Sequence, residues 1–298
     1  MNAIDAEPRI RVVETEITYA CADSRINRRF VAPGVEHNTG RYETHRVSVR
    51  DGRSIADQFT LDRNGFMLAK HQSAVANFFD KGEVDAIYPA EMTELVRRLT
   101  GAHCVVARGW MVRTSGDLSN HRHPTVGYTH SGGVQPPAGE AHVDFMRESA
   151  ERLAKVTYAR AFPNANDYSR FIAGSVWRAF SPPPQDCPLA VCDGASVAPE
   201  EGIPNTLIIV DKLPDEAAML GDVPGESDAP AATIFPYSPH HRWWYFSNMS
   251  RDEVLLFKFY DSDQTGAWRT PHTAFHDPSF PDARTRESIE LRVFAYFK

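Results

Sequence analysis

His142-Val143-Asp144 has a spacing from which a metal site can be built. On an extended strand, residues two apart point to one face, so the imidazole and the carboxylate can reach a single ion. Two ligands do not make a site. A facial triad needs a second histidine from elsewhere in the fold, and it leaves three positions open for a bidentate co-substrate and oxygen. His240, His241, His272 and His276 are the candidates for that third ligand. His272 is favoured because it stands just before the last strand-like run and is followed fourteen residues later by Arg286-Glu287-Ser288. Arg286 and Ser288 would share one strand face and offer a guanidinium and a hydroxyl to one carboxylate. His240 and His241 are adjacent, so on a strand only one could serve, and His276 precedes Asp277-Pro278, a turn-forming context.

Each of these motifs has a plainer alternative. His-x-Asp arises by chance on many surfaces, and Arg286 paired with an exposed Glu287 or Asp282 would contribute little. Arg178, in a strand-like run, is a candidate for a co-substrate carboxylate or for a structural ion pair. Lys258 lies inside the apolar run LLFKFYD and must find a partner or snorkel. His121, His123 and His130 offer a weaker second metal cluster in a polar loop. Cys187 and Cys192, with Cys21 and Cys104, are too few for a disulfide framework or a four-thiolate zinc site.

The elements that must position these residues are mostly strands. Residues 9–20 and 43–50 alternate apolar and polar, and 103–112 is β-branched and aromatic. Short apolar runs then recur at 171–180, 188–193, 205–213, 232–238, 242–247, 253–261 and 288–297, separated by Pro, Gly and Asp. That rhythm argues for an antiparallel barrel or sandwich. Helical spacing is read near 72–80, 90–100 and 145–156. Loops at 115–139 and 214–230 are Gly- and Pro-rich and read as lids over a pocket. The Trp243-Trp244-Tyr245-Phe246 run should divide its rings between the two faces of its strand.

Composition narrows the class. The 298 residues are 42% hydrophobic and 24% charged, with a formal net charge of −7. That is an ordinary globular composition, and the charge gives no footprint for nucleic acid. No apolar run approaches the length that crosses a bilayer and no signal peptide is visible, so a cytoplasmic location is expected. One domain is expected over 1–298, with an extension at 1–110 packed on a core at 111–298.

From about Gln58 onward the chain resembles a family of non-haem iron(II), 2-oxoglutarate-dependent oxygenases. That family includes the cephamycin methoxylation protein and fungal gibberellin-desaturase-like hydroxylase/desaturases. The stretches that carry the resemblance are FTLDRNGF (59–66), AHVDF (141–145), SVWRAF (175–180), PLAVCD (188–193), HRWWYFSNMSRDEVLLFKFYDS (241–262), PHTAF (271–275) and RESIELR (286–292). The resemblance implies a double-stranded β-helix (jelly-roll, cupin-like) core. It implies iron(II) on His142, Asp144 and His272, 2-oxoglutarate on Arg286, and O2 as oxidant of a small metabolite in natural-product biosynthesis. Phe145-Met146 depart from the polar or small residues more usual after this motif. The interval from His272 to Arg286 is longer than in the plant enzymes, which leaves Arg284 as a second possible anchor. Two other classes fit the same residues: a zinc or cupin-type metalloenzyme without 2-oxoglutarate, and a catalytically silent accessory subunit. A homodimer is compatible with everything above.

Overall fold

The structure, a computed structural model, describes residues 10–33, 35–117, 133–164 and 167–298. His121, His123, His130 and most of the first expected lid lie outside the described residues. The N-terminal part holds β1 (Val12–Ala20), β2 (Arg28–Ala32), β3 (Val35–Asn38), β4 (Tyr42–Asp51), α1 (Leu61–Asn64), β5 (Phe66–Lys70) and α2 (Lys81–Thr100). Then follow β6 (Cys104–Thr114), β7 (Val134–Gln135), β8 (His142–Val143), α3 (Arg147–Ala161), β9 (Arg170–Ala179), β10 (Leu189–Cys192), β11 (Ile203–Ile209) and α4 (Glu216–Leu220). The chain closes with β12 (Ala231–Ile234), β13 (Trp243–Tyr245), β14 (Glu253–Asp261), β15 (His272–Ala274) and β16 (Glu287–Phe297).

Among the described residues the strands form two sheets. One runs β1-β4-β13-β10-β15-β8-β12-β11-β2-β3 and the other β5-β14-β9-β16-β6-β7. The strands β6, β8, β9, β10, β13, β14, β15 and β16 alternate between the sheets along most of the chain, and neighbours within each sheet are mainly antiparallel. This is the double-stranded β-helix. The N-terminal strands are woven into it: β4 pairs in parallel with β13, and β2 in parallel with β11. The boundary expected at 110 falls inside β6, which is one continuous strand.

Two apolar layers hold the sheets. Rings such as Trp243, Tyr245, Phe257, Phe294 and Tyr296 fill the space between them. A second cluster lies on the outer face of the six-stranded sheet, where Val84, Tyr88, Met92 and Leu95 of α2 cover Ile289, Leu291 and Val293 of β16. α2 begins earlier than expected because Asp80 caps it, its side chain accepting from the Glu83 N–H, and the helix continues through Pro89. The helix expected near 72–80 does not form. Its backbone N–H groups at Ala74, Ala76 and Asn77 donate instead to the Glu91 and Glu83 carboxylates of α2, while Val75 and Phe78 sink into the outer cluster. Side-chain acceptors thus replace the helical hydrogen bonds.

The 214–230 segment contains α4 and is clamped by Arg28. That guanidinium donates to both Glu226 carboxylate oxygens at 2.7 and 2.6 Å and to the Met219 and Gly221 carbonyls at 2.6 Å. Arg28→Ala should therefore cost about 2 kcal/mol and loosen this segment selectively. The check is a urea midpoint together with limited proteolysis. An unchanged midpoint and an unchanged cleavage rate within 214–230 would show that the clamp carries no stability.

Candidate metal centre

His142 and His272 stand directly opposite each other on the paired strands β8 and β15. Their rings lie 4.3 Å apart, centre to centre. Asp144, two residues beyond His142, brings its Oδ1 to 3.4 Å from His142 Nε2 and 3.8 Å from His272 Nε2. The three ligand atoms all lie within 4.8 Å of one another. Each ring places Nδ1 against its own backbone, His142 at 2.8 Å from the Glu140 carbonyl and His272 at 3.2 Å from the Thr270 carbonyl. A proton on Nδ1 donates to that carbonyl and leaves Nε2 as the free lone pair, which is how a metal-binding imidazole is oriented. Phe257 and Phe259 pack on the His272 ring at 4.7 and 5.6 Å.

The second carboxylate oxygen of Asp144 is held by Arg292, whose Nε donates to Oδ2 at 2.5 Å. Arg292 Nη2 also lies 3.4 Å from Glu290 Oε1, which in turn meets Arg113 Nη2 at 3.3 Å. Burial works against the Asp144 charge, but Arg292 and the two imidazoles outweigh it and hold the carboxyl well below its usual range. Burial pushes His272 down to about 3, and the neighbouring His142 adds to that effect. His142 moves up despite burial, because Asp144 and Glu140 favour its charged form. The donor set is two neutral-capable nitrogens and one ionised oxygen, with room on the remaining side. That set suits iron(II) in a facial triad.

Alternation along β16 decides what else faces this centre. Ile289, Leu291 and Val293 point outward to α2, so Ser288, Glu290 and Arg292 point inward, in line with Phe294 and Tyr296. Arg286 and Ser288 are 1% and 0% exposed. The Arg286 guanidinium donates from Nη1 to the Cys187 carbonyl at 2.9 Å and lies 5.8 Å from the Trp177 ring centre. Among the described residues its Nε and the Ser288 Oγ have no hydrogen-bond partner. Among the described residues no carboxylate pairs with this guanidinium, and burial lowers its pKa. A fully buried cation beside an unused hydroxyl, with no counter-ion, is the cradle an anionic co-substrate would fill.

The structure corrects other candidates. Arg178 stands opposite Ile289 on the neighbouring strand and therefore faces α2. It donates to the His71 and Arg251 carbonyls and lies against Tyr88. It is a structural residue on the far side of the sheet, not a co-substrate ligand. Lys258 is satisfied by Asp261 at 2.7 Å and the Ala267 carbonyl at 3.0 Å. Arg284 is exposed. His241 donates or accepts at Glu201, 2.7 Å away, while His240 and His276 are exposed, and none of them joins the triad. All four cysteines are free thiols. Arg292, Glu290 and Arg113 were missed. A signal for two of them was present, since residues 286, 288, 290 and 292 repeat at the strand period.

A cleft of about 230 Å³ opens on the centre, with Phe145, Leu153, Leu207 and Ile234 among its apolar walls and Arg292, Arg113 and Glu140 among its charged ones.

Comparison with known proteins agrees with this geometry. A family model described as an oxidoreductase/YMDC permease-like domain matches residues 18–296. The hydroxylase/desaturase efuI of Hormonema carpetanum is 32% identical over 87% of this chain and 85% of its own. The chain belongs to the hydroxylase/desaturase family of Fe(II)/2-oxoglutarate-dependent dioxygenases. The dioxygenase nvfI of Aspergillus novofumigatus, described as Fe(II)/2-oxoglutarate-dependent, is 28% identical over 89% of this chain and 87% of its own. A solved structure of the iron and α-ketoglutarate-dependent endoperoxidase NvfI superposes with a TM-score of 0.77, at 26% identity, over 98% of this chain and 99% of that one. The match places the oxygenase in the jelly-roll class. No helix among the described residues is long and apolar enough to cross a membrane.

Asp144→Ala should abolish metal retention in a protein that still folds, with a lowered thermal midpoint because Arg292 loses its buried partner. Arg292→Ala should weaken metal binding roughly 10- to 100-fold by releasing Oδ2, as loss of an outer-shell partner does. Metal content after desalting and competition with a chelator give both numbers. Wild-type retention in Asp144→Ala would remove the triad, and an unaffected Arg292→Ala would deny that arginine its positioning role.

Proposed function

We propose that this oxygenase holds iron(II) on His142, Asp144 and His272, anchors the far carboxylate of 2-oxoglutarate on Arg286 and Ser288, and hydroxylates, desaturates or cyclises a small metabolite in natural-product biosynthesis. The observation that carries the reading is the coincidence, inside one barrel, of the three ligands with the uncompensated Arg286 guanidinium and the unpartnered Ser288 hydroxyl. When bound, iron(II) with 2-oxoglutarate and O2 supplies the oxidising power, the co-substrate leaving as succinate and carbon dioxide. The chain's residues do the positioning. The backbone carbonyls of Glu140 and Thr270 fix the two imidazoles, Arg292 fixes the carboxylate, and Phe257 and Phe259 keep water from one side of the ligand set.

The two other classes make less use of these features. A zinc or cupin-type hydrolase gives Arg286 and Ser288 nothing to hold. A silent accessory subunit has no use for three ligands kept in register by paired strands.

Arg286→Lys keeps the charge but loses the bidentate fork, so the apparent 2-oxoglutarate affinity should fall about 10- to 150-fold, equivalent to roughly 1.5–3 kcal/mol. Ser288→Ala should cost about 1 kcal/mol, and Arg178→Lys and Arg284→Lys should leave co-substrate affinity near normal. The affinities come from anaerobic titration of the Fe(II) protein, read by the weak visible band of the ternary complex, with succinate release as the turnover check. A normal value in Arg286→Lys would move the anchor elsewhere.

A further inference from the structure

Two polar features of the cleft have no part in holding metal or co-substrate. The first is Arg108. Between the Leu291–Trp110 and Val293–Ala107 pairs, β16 contributes one residue, Arg292, while β6 contributes two, Arg108 and Gly109. Gly109 takes φ +109°, a conformation that side chains rarely adopt, and the bulge re-aims Arg108 onto the cleft wall. Its Nη1 donates to Thr157 Oγ1 at 3.1 Å, which orients the guanidinium without neutralising it. The other three arginines of the cleft each meet a carboxylate: Arg29 meets Glu36 and Glu140, Arg113 meets Glu290, and Arg292 meets Asp144. Among the described residues Arg108 meets none. Arg108 is exposed on the cleft wall; its partial desolvation, then nearby Arg160 and Arg292, disfavours its charge, so an anion arriving there would relieve repulsion as well as gain hydrogen bonds.

The second feature is Asn205. It is 3% exposed and lines the same cleft. Among the described residues its Nδ2 has only a 3.5 Å contact to Asn38 and its Oδ1 has no partner. A buried carboxamide left this way points to a ligand that completes it. The same cleft is also lined by the apolar residues Phe145, Leu153, Leu207 and Ile234.

We propose that the substrate is an apolar molecule bearing a carboxylate, seated by Arg108, with a polar substituent turned to Asn205. The assignment deepens the oxygenase reading and depends on it only for what happens to the molecule after it binds.

The probes are dodecanoate, 1-naphthaleneacetate and a tricyclic resin acid, each paired with its primary amide. They are titrated calorimetrically into the full-length chain, alone and loaded with redox-inert Mn(II) and 2-oxoglutarate. At least one acid should bind about tenfold more tightly than its amide in both arms. Arg108→Gln should erase that preference and Arg108→Lys should keep most of it, with the thermal midpoint showing that both variants fold. If no acid binds, if acid and amide bind equally, or if the preference survives Arg108→Gln, the assignment is overturned. A preference seen only with Mn(II) overturns it too, since the metal is then the carboxylate's partner. Failure of the oxygenase reading would look different: Mn(II) and 2-oxoglutarate would not bind, while the acid preference of the unloaded chain would stand.

Discussion

The pairing of Asp144 with Arg292 joins the two sheets beside the His142, Asp144 and His272 cluster. Asp144 follows β8 in the ten-stranded sheet, and Arg292 lies in the middle of β16 in the six-stranded one. One carboxylate oxygen is committed to the guanidinium, and the other is left facing both histidines. Buried ion pairs of this kind add little net stability, because desolvation opposes their attraction. Removing one partner, however, strands the other charge in the interior. The pair therefore acts as a constraint on geometry: the sheets must approach closely enough at β8 and β16 for the contact, and the apolar layers must supply the free energy that keeps them there.

That free energy comes from both faces of the six-stranded sheet. Outward residues of β16 are aliphatic and covered by α2, which allows its inward residues between 286 and 292 to be polar or charged. The inner layer compensates further along, where Phe294 and Tyr296 join rings from β9 and β14. A strand apolar on both faces would make a stronger barrel and hold no co-substrate. The Asp144, Arg292, Glu290 and Arg113 chain also alternates in sign, so each charge is stabilised by neighbours of opposite sign as well as by hydrogen bonds. Arg286, beyond the end of that chain, meets no carboxylate among the described residues.

Much of this was legible in the residues. The strand at 253–261 matches its expected bounds, because a run that is apolar on both faces and bounded by turn residues has little alternative. His272 could be ranked above His240 and His241 because Arg286 and Ser288 follow it at the strand period, at the start of β16. β8 and β15 were not legible as strands: at two and three residues they show no periodicity, and their pairing partners set them. The stretch near 72–80 has helical apolar spacing, yet two glutamates of α2 claim its N–H groups, a tertiary effect that no local pattern carries. Arg178 was misplaced for a simpler reason. Its strand is buried on both faces, so composition cannot say which face meets the metal, and only the register against Ile289 does.

The N-terminal strands show how the two tasks of the molecule are divided. His142, Asp144, His272 and Arg286 all sit on the barrel or its immediate turns, where a displacement of one residue in register would invert every side chain. The cleft wall opposite Arg108 is assembled differently. Leu207 of β11 pairs with Arg29 of β2, and Asn205 of β11 pairs with Ala232 of β12, so this wall lies at the flank of the sheet and is closed by the N-terminal hairpin and the Arg28-clamped segment. The triad residues lie on or directly after strands at the centre of the ten-stranded sheet, whereas β2 and β3 close the flank of the cleft, where loops and edge strands can vary without moving that centre.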